Sequence, residues 1–274
     1  MSVSILVTLN SNYIRPLKVM LKSLFVQHPA ATFDIYLLHS SILPEEIADL
    51  EQYTSMEGHR LIAVTVDETY FSDAPVVKHY SKEMYYRILA FRFLPPELDK
   101  ILYLDPDLMI INDILPLYET DLEDFLFAAA FHDRIPLTEI NRLRLKTQEL
   151  PAYYNSGVLL MNLRLQRETV REKDIFDYVQ DNKKWLILPD QDVLNALYST
   201  SIKNIEELRY NYDARFYRYY KLASGGKVDM DYVVRNTSII HFCGKRKPWN
   251  KHYSGSFHSL YKHYEKLAFP SLMR

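Results

Sequence analysis

The feature that most constrains this chain is the regular alternation, over its first hundred residues, of short β-rich runs with longer helical stretches. Val3 to Leu9, Phe33 to Leu38, Leu61 to Val66 and Ile101 to Leu104 are rich in branched and aromatic residues. Between them, Tyr13 to Gln27 repeats Ile14, Leu17, Leu21, Leu24 and Phe25 at helical spacing. Pro44 opens a second helix with Ile47, Leu50 and Tyr53 on one face, and Ser81 to Phe93 is expected to form a third, closed by Pro95-Pro96. Strands joined by helices of about ten to fifteen residues predict right-handed βαβ units and a mostly parallel sheet.

The later pattern is more mixed. Phe125 to Phe131, Val158 to Met161 and Ser238 to Phe242 are expected to be strands, and Thr169 to Asn182 and Asp190 to Tyr198 helices. No repeat, low-complexity tract or linker divides the chain, so the expectation is one α/β domain over residues 1–249 followed by an extension, 250–274. From Lys245 onward that end of the chain carries seven basic residues against the single acid Glu265, interleaved with Trp249, Tyr253, Phe257, Tyr261, Tyr264 and Phe269. Such a stretch suits either a helix packed on the domain or peripheral contact with an anionic membrane through 245–274.

Composition excludes several classes. A hydrophobic content of 48% with 25% charged residues belongs to a soluble globular protein, not to a disordered chain or coiled coil. The net charge of −2 gives no reason to expect nucleic acid. Cys243 alone can form neither an internal disulfide nor a thiolate zinc site. The opening residues lack a basic leader and no run of about 18 apolar residues occurs, so a cytoplasmic location is expected. With only six glycines there is no G-x-G-x-x-G and no phosphate-binding P-loop.

The chemistry concentrates in three clusters. In Tyr103-Leu104-Asp105-Pro106-Asp107, alternate residues of extended chain turn both carboxylates to one side. They lie at the carboxyl end of an expected strand, where open α/β sheets bind ligands, and suit Mg²⁺ or Mn²⁺ shared with a phosphate. The same spacing recurs at Asp190-Gln191-Asp192, read alone as a helix start, and at Asp229-Met230-Asp231, read as a solvated loop. The second cluster runs from Ser238 to Trp249. There His241 can add a nitrogen ligand, which shifts the preference towards Mn²⁺, Gly244 allows close backbone approach and Lys247 can face a phosphate. The third, Tyr153 to Asn162, places Asn155, Ser156 and Gly157 before a buried strand, as a polar lip for a sugar or as a simple turn.

In their order and spacing these clusters, with Thr8-Leu9-Asn10-Ser11-Asn12-Tyr13 and Tyr85-Tyr86-Arg87, resemble glycosyltransferase family 8 from Val3 to Trp249. Its bacterial lipopolysaccharide galactosyl- and glucosyltransferases are the branch most similar. The resemblance implies a GT-A fold, with a mixed, mostly parallel central sheet flanked by helices, and metal-dependent, retaining transfer of glucose or galactose from a UDP-sugar to a glycan or glycolipid hydroxyl. It implies Mn²⁺, with Mg²⁺ as the substitute, on Asp105, Asp107 and His241. Thr8, Asn10, Asn12 and Tyr13 would surround the uridine, Arg87 would reach the donor, and Gly244 and Lys247 the diphosphate. Asp133, Asn155, Asp190 and Gln191 would border the transferred sugar, with Asp190 and Gln191 nearest the chemistry, and either His132 or Asp133 stands at the family position. Competing readings of the same carboxylates are a nucleotidyl or phosphoryl transferase and a non-catalytic nucleotide-sugar-binding protein.

Overall fold

The computed structural model describes residues 2–71, 74–75, 85–131, 137–147 and 149–270. The first half runs β1 (Ser2–Thr8), α1 (Ile14–Gln27), β2 (Thr32–His39), α2 (Pro44–Met56), β3 (Arg60–Thr65), β4 (Lys100–Leu104), β5 (Leu108–Ile110), α3 (Leu115–Tyr118), β6 (Phe127–Ala129) and α4 (Leu137–Leu145). It continues through β7 (Val158–Asn162), α5 (Leu163–Thr169), α6 (Glu172–Asn182), α7 (Pro189–Tyr198), β8 (Ile202–Asn204) and α8 (Glu207–Tyr210). The last elements are β9 (Tyr212–Asp213), α9 (Tyr217–Ala223), α10 (Met230–Asn236), β10 (Ile239–His241) and α11 (His258–Ala268).

Seven strands form the central sheet in the order β3-β2-β1-β4-β7-β6-β8. β7 runs antiparallel to both of its neighbours, and the other four pairings are parallel. The two-residue period of the strands sorts side chains into two layers. Leu6, Ile101, Tyr103, Phe127, Leu159 and Met161 enter one core, while Ile5, Val7, Leu102, Leu104, Val158 and Leu160 enter the other. Burial on both faces is what parallel strands covered by crossover helices require, and each such aliphatic contributes about 1.5–3 kcal/mol. This is the expected GT-A architecture.

The strand order fixes where a ligand can bind. The chain moves outward from β1 to β2 and β3, then returns to place β4 on the other side of β1. That reversal leaves a crevice at the carboxyl ends of β1 and β4. Because β7 is antiparallel to β4, with Leu104 opposite Val158, the residues preceding β7 arrive at the same end. A second sheet, β5-β10-β9, sets His241 opposite Leu108, immediately beyond Asp107.

Several expected elements differ. The described part of Ser81 to Phe93 is a series of tight turns ending in a 3-10 turn at Ala90–Arg92, not a helix. Tyr85, Tyr86, Ile88, Leu89 and Phe91 are all buried, so the segment has no solvent face to sustain an amphipathic helix, and its turns direct Arg87 into the crevice. The helix expected over Thr169 to Asn182 is two, because Val170 is extended and buried between α5 and α6. Asp229 is not in a solvated loop: its side chain accepts from Tyr232 N and caps α10.

The segment after Trp249 packs into a third core around the small sheet. Phe257, Tyr261 and Tyr264 are buried there with Val19, Met109, Tyr212 and Phe242. Gln27 donates to Tyr264 OH at 2.9 Å and Arg15 pairs with Glu265 at 3.1 Å, fastening α11 to α1. Among the described residues no helix is long and apolar enough to cross a membrane. Phe257 packs edge-on against Tyr212 and Tyr217 at 5.8 and 5.7 Å. Phe257→Ala should therefore lower the unfolding free energy by about 3–5 kcal/mol in a denaturant titration; a loss below about 1 kcal/mol would show that this end of the chain is peripheral to the fold.

Candidate active site

Asp105 and Asp107 follow β4 into the crevice; Pro106 and Asp107 form the turn into β5 and not the extended chain expected, yet the two carboxylates still converge. Asp105 is anchored through its backbone, which donates to Gly157 O at 2.9 Å, and through its carboxylate. Tyr103 OH donates to Asp105 Oδ1 at 2.5 Å and Arg87 Nη2 pairs with the same oxygen at 3.0 Å. Asp107 O accepts from Phe242 N at 3.1 Å, tying the second carboxylate to the end of β10. The result brings Asp105, Asp107 and His241 together with one ligand atom of each within 4.8 Å of the others.

His241 is oriented by a chain of hydrogen bonds that begins at a backbone amide. Gly157 N can only donate, and Asn155 Oδ1 accepts from it at 2.9 Å. The same oxygen accepts from Asn211 Nδ2 at 2.9 Å, which turns Asn211 Oδ1 towards His241 Nδ1, again at 2.9 Å. Nδ1 must then carry its proton, and Nε2 faces the carboxylates, 3.3 Å from Asp107 Oδ1 and 3.9 Å from Asp105 Oδ2. Neighbouring ligands around a small octahedral cation lie about 3 Å apart, so these separations need only a slight adjustment. Two hard carboxylates and one imidazole fit a divalent ion of the Mn²⁺ or Mg²⁺ type.

The electrostatics point the same way. Burial opposes a charge on His241, yet Cys243 and Asp107 beside it raise its pKa well above the ordinary imidazole value. Burial would raise the pKa of Asp107, but His241 and Lys247 hold it well below the usual carboxylate range. Lys247 contacts Asp107 directly and donates to Phe242 O at 2.9 Å. The proton on Nε2 and the Lys247 ammonium thus neutralise charge where a cation can replace that proton.

Arg87 links this cluster to the sugar side. Its Nη1 pairs with Asp190 Oδ2 and donates to Ser156 O and Oγ, while its guanidinium lies over the Tyr103 ring. Burial works against its charge, but Asp105, Tyr103 and Asp190 keep it protonated. Asp190 lies in the first turn of α7, where it accepts from Ser156 Oγ at 3.2 Å instead of capping the helix. Gln191 Oε1 accepts from Asn155 Nδ2 and Ser156 N.

The uridine-side candidates lie at the end of β1 and just beyond it. Thr8 Oγ1 is 3.3 Å from Tyr103 OH, Asn10 caps a short turn by accepting from Asn12 N, and Tyr13 meets the Trp249 ring edge-on. Asn10 and Asn12 are exposed and touch none of the carboxylates. Gly244 has φ of +81°, the left-handed conformation that favours glycine, and adjoins Arg215. Asp133 and His132 lie outside the described residues.

Tyr103 and Asn211 were missed as site residues. Tyr103 sits inside the aspartate motif but looks like one more strand aromatic, and Asn211 stands between two tyrosines with no recognisable spacing. Asn211 carries no sequence signal because its partners Asn155 and His241 lie far along the chain, and Tyr103 carries none because a strand tyrosine two residues before an aspartate is unremarkable.

Residues 4–253 match the family described as glycosyl transferase family 8. The chain belongs to this family. It is 27% identical over 267 residues to general stress protein A of Bacillus subtilis, covering 93% of this chain and 90% of that one. It is 26% identical to a lipopolysaccharide 1,2-glucosyltransferase of Escherichia coli K12, covering 88% and 71%. Among solved structures, the galactosyltransferase LgtC, crystallised with donor and acceptor sugar analogues, superposes with a TM-score of 0.80 at 23% identity, covering 96% and 95%. Family membership makes the chain a glycosyltransferase, and the likeness to LgtC confirms the GT-A fold.

Gly157 has no room for a side chain: an added Cβ would collide with His241 Cε1 and stand 2.8 Å from Asp105 Oδ2. Gly157→Ala should weaken any divalent-cation binding at this cluster by about tenfold or more, the scale of a 1–3 kcal/mol overpacking cost. Metal titration by calorimetry tests this, and unchanged affinity would contradict the packing described.

Proposed function

We propose that this glycosyltransferase moves a hexose, glucose or galactose, from a UDP-sugar to a hydroxyl of a cell-envelope glycan or glycolipid, retaining anomeric configuration. Mn²⁺, with Mg²⁺ as the substitute, would be held by Asp105, Asp107 and His241. The observation that carries this reading is the convergence of those three ligands at the crevice, with Gly244 and Lys247 supplied by the loop that follows His241. The names of the glucosyltransferase and galactosyltransferase relatives support the choice of hexose. The segments Thr8 to Tyr13 and Asn155 to Gly157 then border the uridine and the sugar respectively.

A bound divalent cation supplies Lewis-acid compensation for the charge that builds on the departing diphosphate. Lys247 adds a fixed positive charge at the same place. Arg87, paired with both Asp105 and Asp190, carries its positive charge from the metal-side carboxylates to the sugar side. The Asp190 carboxylate stabilises positive charge developing at the anomeric carbon. Retention by double displacement needs a nucleophile below that carbon. Gln191 is neutral and its oxygen already accepts two hydrogen bonds, while Asp192 is fully buried in an ion pair with Arg144. These arrangements favour a front-face route, in which the diphosphate oxygen takes up the proton of the incoming hydroxyl.

UDP release from a panel of UDP-sugars, with and without Mn²⁺, tests the reading. One UDP-hexose should be hydrolysed slowly in a Mn²⁺-dependent way. Asp105→Asn and Asp107→Asn should each lower that rate by about a hundredfold or more, the loss of several kcal/mol of charge stabilisation. Asp229→Asn should not, because Asp229 caps a helix. Equal loss from all three would refute the site, and a glycosyl adduct on Asp190 or Gln191 would refute the front-face route.

Metal binding should also depend on pH. Cation and proton compete for His241 Nε2, and the pKa of His241 is raised. Mn²⁺ affinity should therefore climb as pH rises, by about tenfold per unit below that raised pKa, and level off above it. A pH-independent affinity would exclude His241 as a ligand.

A further inference from the structure

The exposed apolar side chains are unevenly spread. Ile140 and Leu143 on α4 are 56% and 71% exposed, and Trp185, Ile187 and Leu188, just before α7, are 52%, 59% and 44% exposed. These two segments adjoin, since Arg144 Nη1 donates to Trp185 O at 2.8 Å and Lys146 Nζ lies 5.5 Å from the Trp185 ring centroid. We propose that this patch is a docking surface for an anionic lipid bilayer, which holds the mouth of the active site against the membrane.

The patch is rigidly built. The Asp192 carboxylate, fully buried, accepts from Arg144 Nη1 and Nη2 at 2.8 and 2.6 Å and from Tyr153 OH at 2.5 Å. It also accepts from the backbone N–H groups of Ile187 and Leu188 at 2.7 and 3.1 Å. One carboxylate thus clamps both halves of the patch and fixes the apolar residues outward. Five donors hold this buried acid in one place, and breaking such a site is costly. A surface of this rigidity exposing a tryptophan and four large aliphatics marks an interaction site.

Charge complementarity selects the occupant. Lys146, Lys183 and Lys184 flank the apolar residues, and all are exposed. Among the described acids of these two segments, Glu139 is paired with Arg142 at 2.9 Å, which leaves Asp181 to face the three lysines. Tryptophan at headgroup depth, aliphatics below it and lysines around it match the chemistry of an anionic interface. The other basic-aromatic stretch, 245–274, is less suited, because Phe257, Tyr261 and Tyr264 are used in the core. Pro189 and Asp190 follow the patch directly, so docking would deliver a membrane-resident acceptor to the sugar side. This part of the inference rests on the donor site proposed above.

The test uses the full chain and vesicles of equimolar phosphatidylcholine and phosphatidylglycerol, with phosphatidylcholine alone as control. The chain has two tryptophans, so Trp249→Phe isolates Trp185 emission. The expected results are salt-sensitive binding to the anionic vesicles only, a blue shift of Trp185 emission, and about a tenfold or greater loss of binding in Leu143→Glu/Ile187→Glu. Both sites are exposed, so the variant should keep the wild-type unfolding midpoint and its rate of UDP release in solution. Lys262→Gln/Lys266→Gln should bind as wild type. Absence of binding by the wild-type chain, undiminished binding by the double glutamate variant, or a wild-type dimer that this variant dissociates would overturn the proposal. UDP release without vesicles reports the donor site separately, so the two readings can fail independently.

Discussion

The site depends on how closely β7 approaches β4 and β10 at Gly157. The glycine has no side chain, so Asp105 and His241 can close over it, and its amide starts the series of hydrogen bonds that ends at His241 Nδ1. Antiparallel insertion of β7 into an otherwise parallel sheet makes this possible, because it brings the start of β7 to the end of β4. A parallel strand there would present its carboxyl end instead, and the Asn155 to Gly157 segment would lie at the far edge of the sheet.

Around that contact, the charges form a connected set and not a list of independent pairs. Arg87 touches Asp105 and Asp190, His241 faces both metal-side carboxylates, and Lys247 holds Asp107. Buried charges of this kind are expensive to maintain for stability alone, since apolar residues of similar size often serve as well. Their concentration at the sheet's switch point is the pattern of a site prepared for a cation and an anionic leaving group. The Asp192 clamp repeats the logic a few residues away, where the fixed object is a surface and not a ligand set.

Much of this was legible in the sequence because it rests on local pattern. Strand periodicity gave the parallel half of the sheet, and the aspartate pair after an apolar strand located one side of the site. What was not legible depends on contacts between distant segments. The stretch Ser81 to Phe93 looks helical by spacing, and only the burial of Tyr85, Tyr86, Ile88, Leu89 and Phe91 shows why its described part is not. Asn211 acts through His241, thirty residues on, so no spacing marks it. The aromatic residues near the carboxyl end are compositionally like a membrane anchor, but their partners include Val19, Met109 and Tyr212, far away in sequence.

The central claim is that Asp105, Asp107 and His241 hold a divalent cation on the diphosphate of a nucleotide sugar. Anomalous diffraction from crystals grown with Mn²⁺ and UDP tests it most directly. The account predicts one strong manganese peak among those three side chains, with diphosphate density reaching it from the Gly244–Lys247 loop. Manganese bound elsewhere, or UDP density with no metal between it and the aspartates, would contradict it.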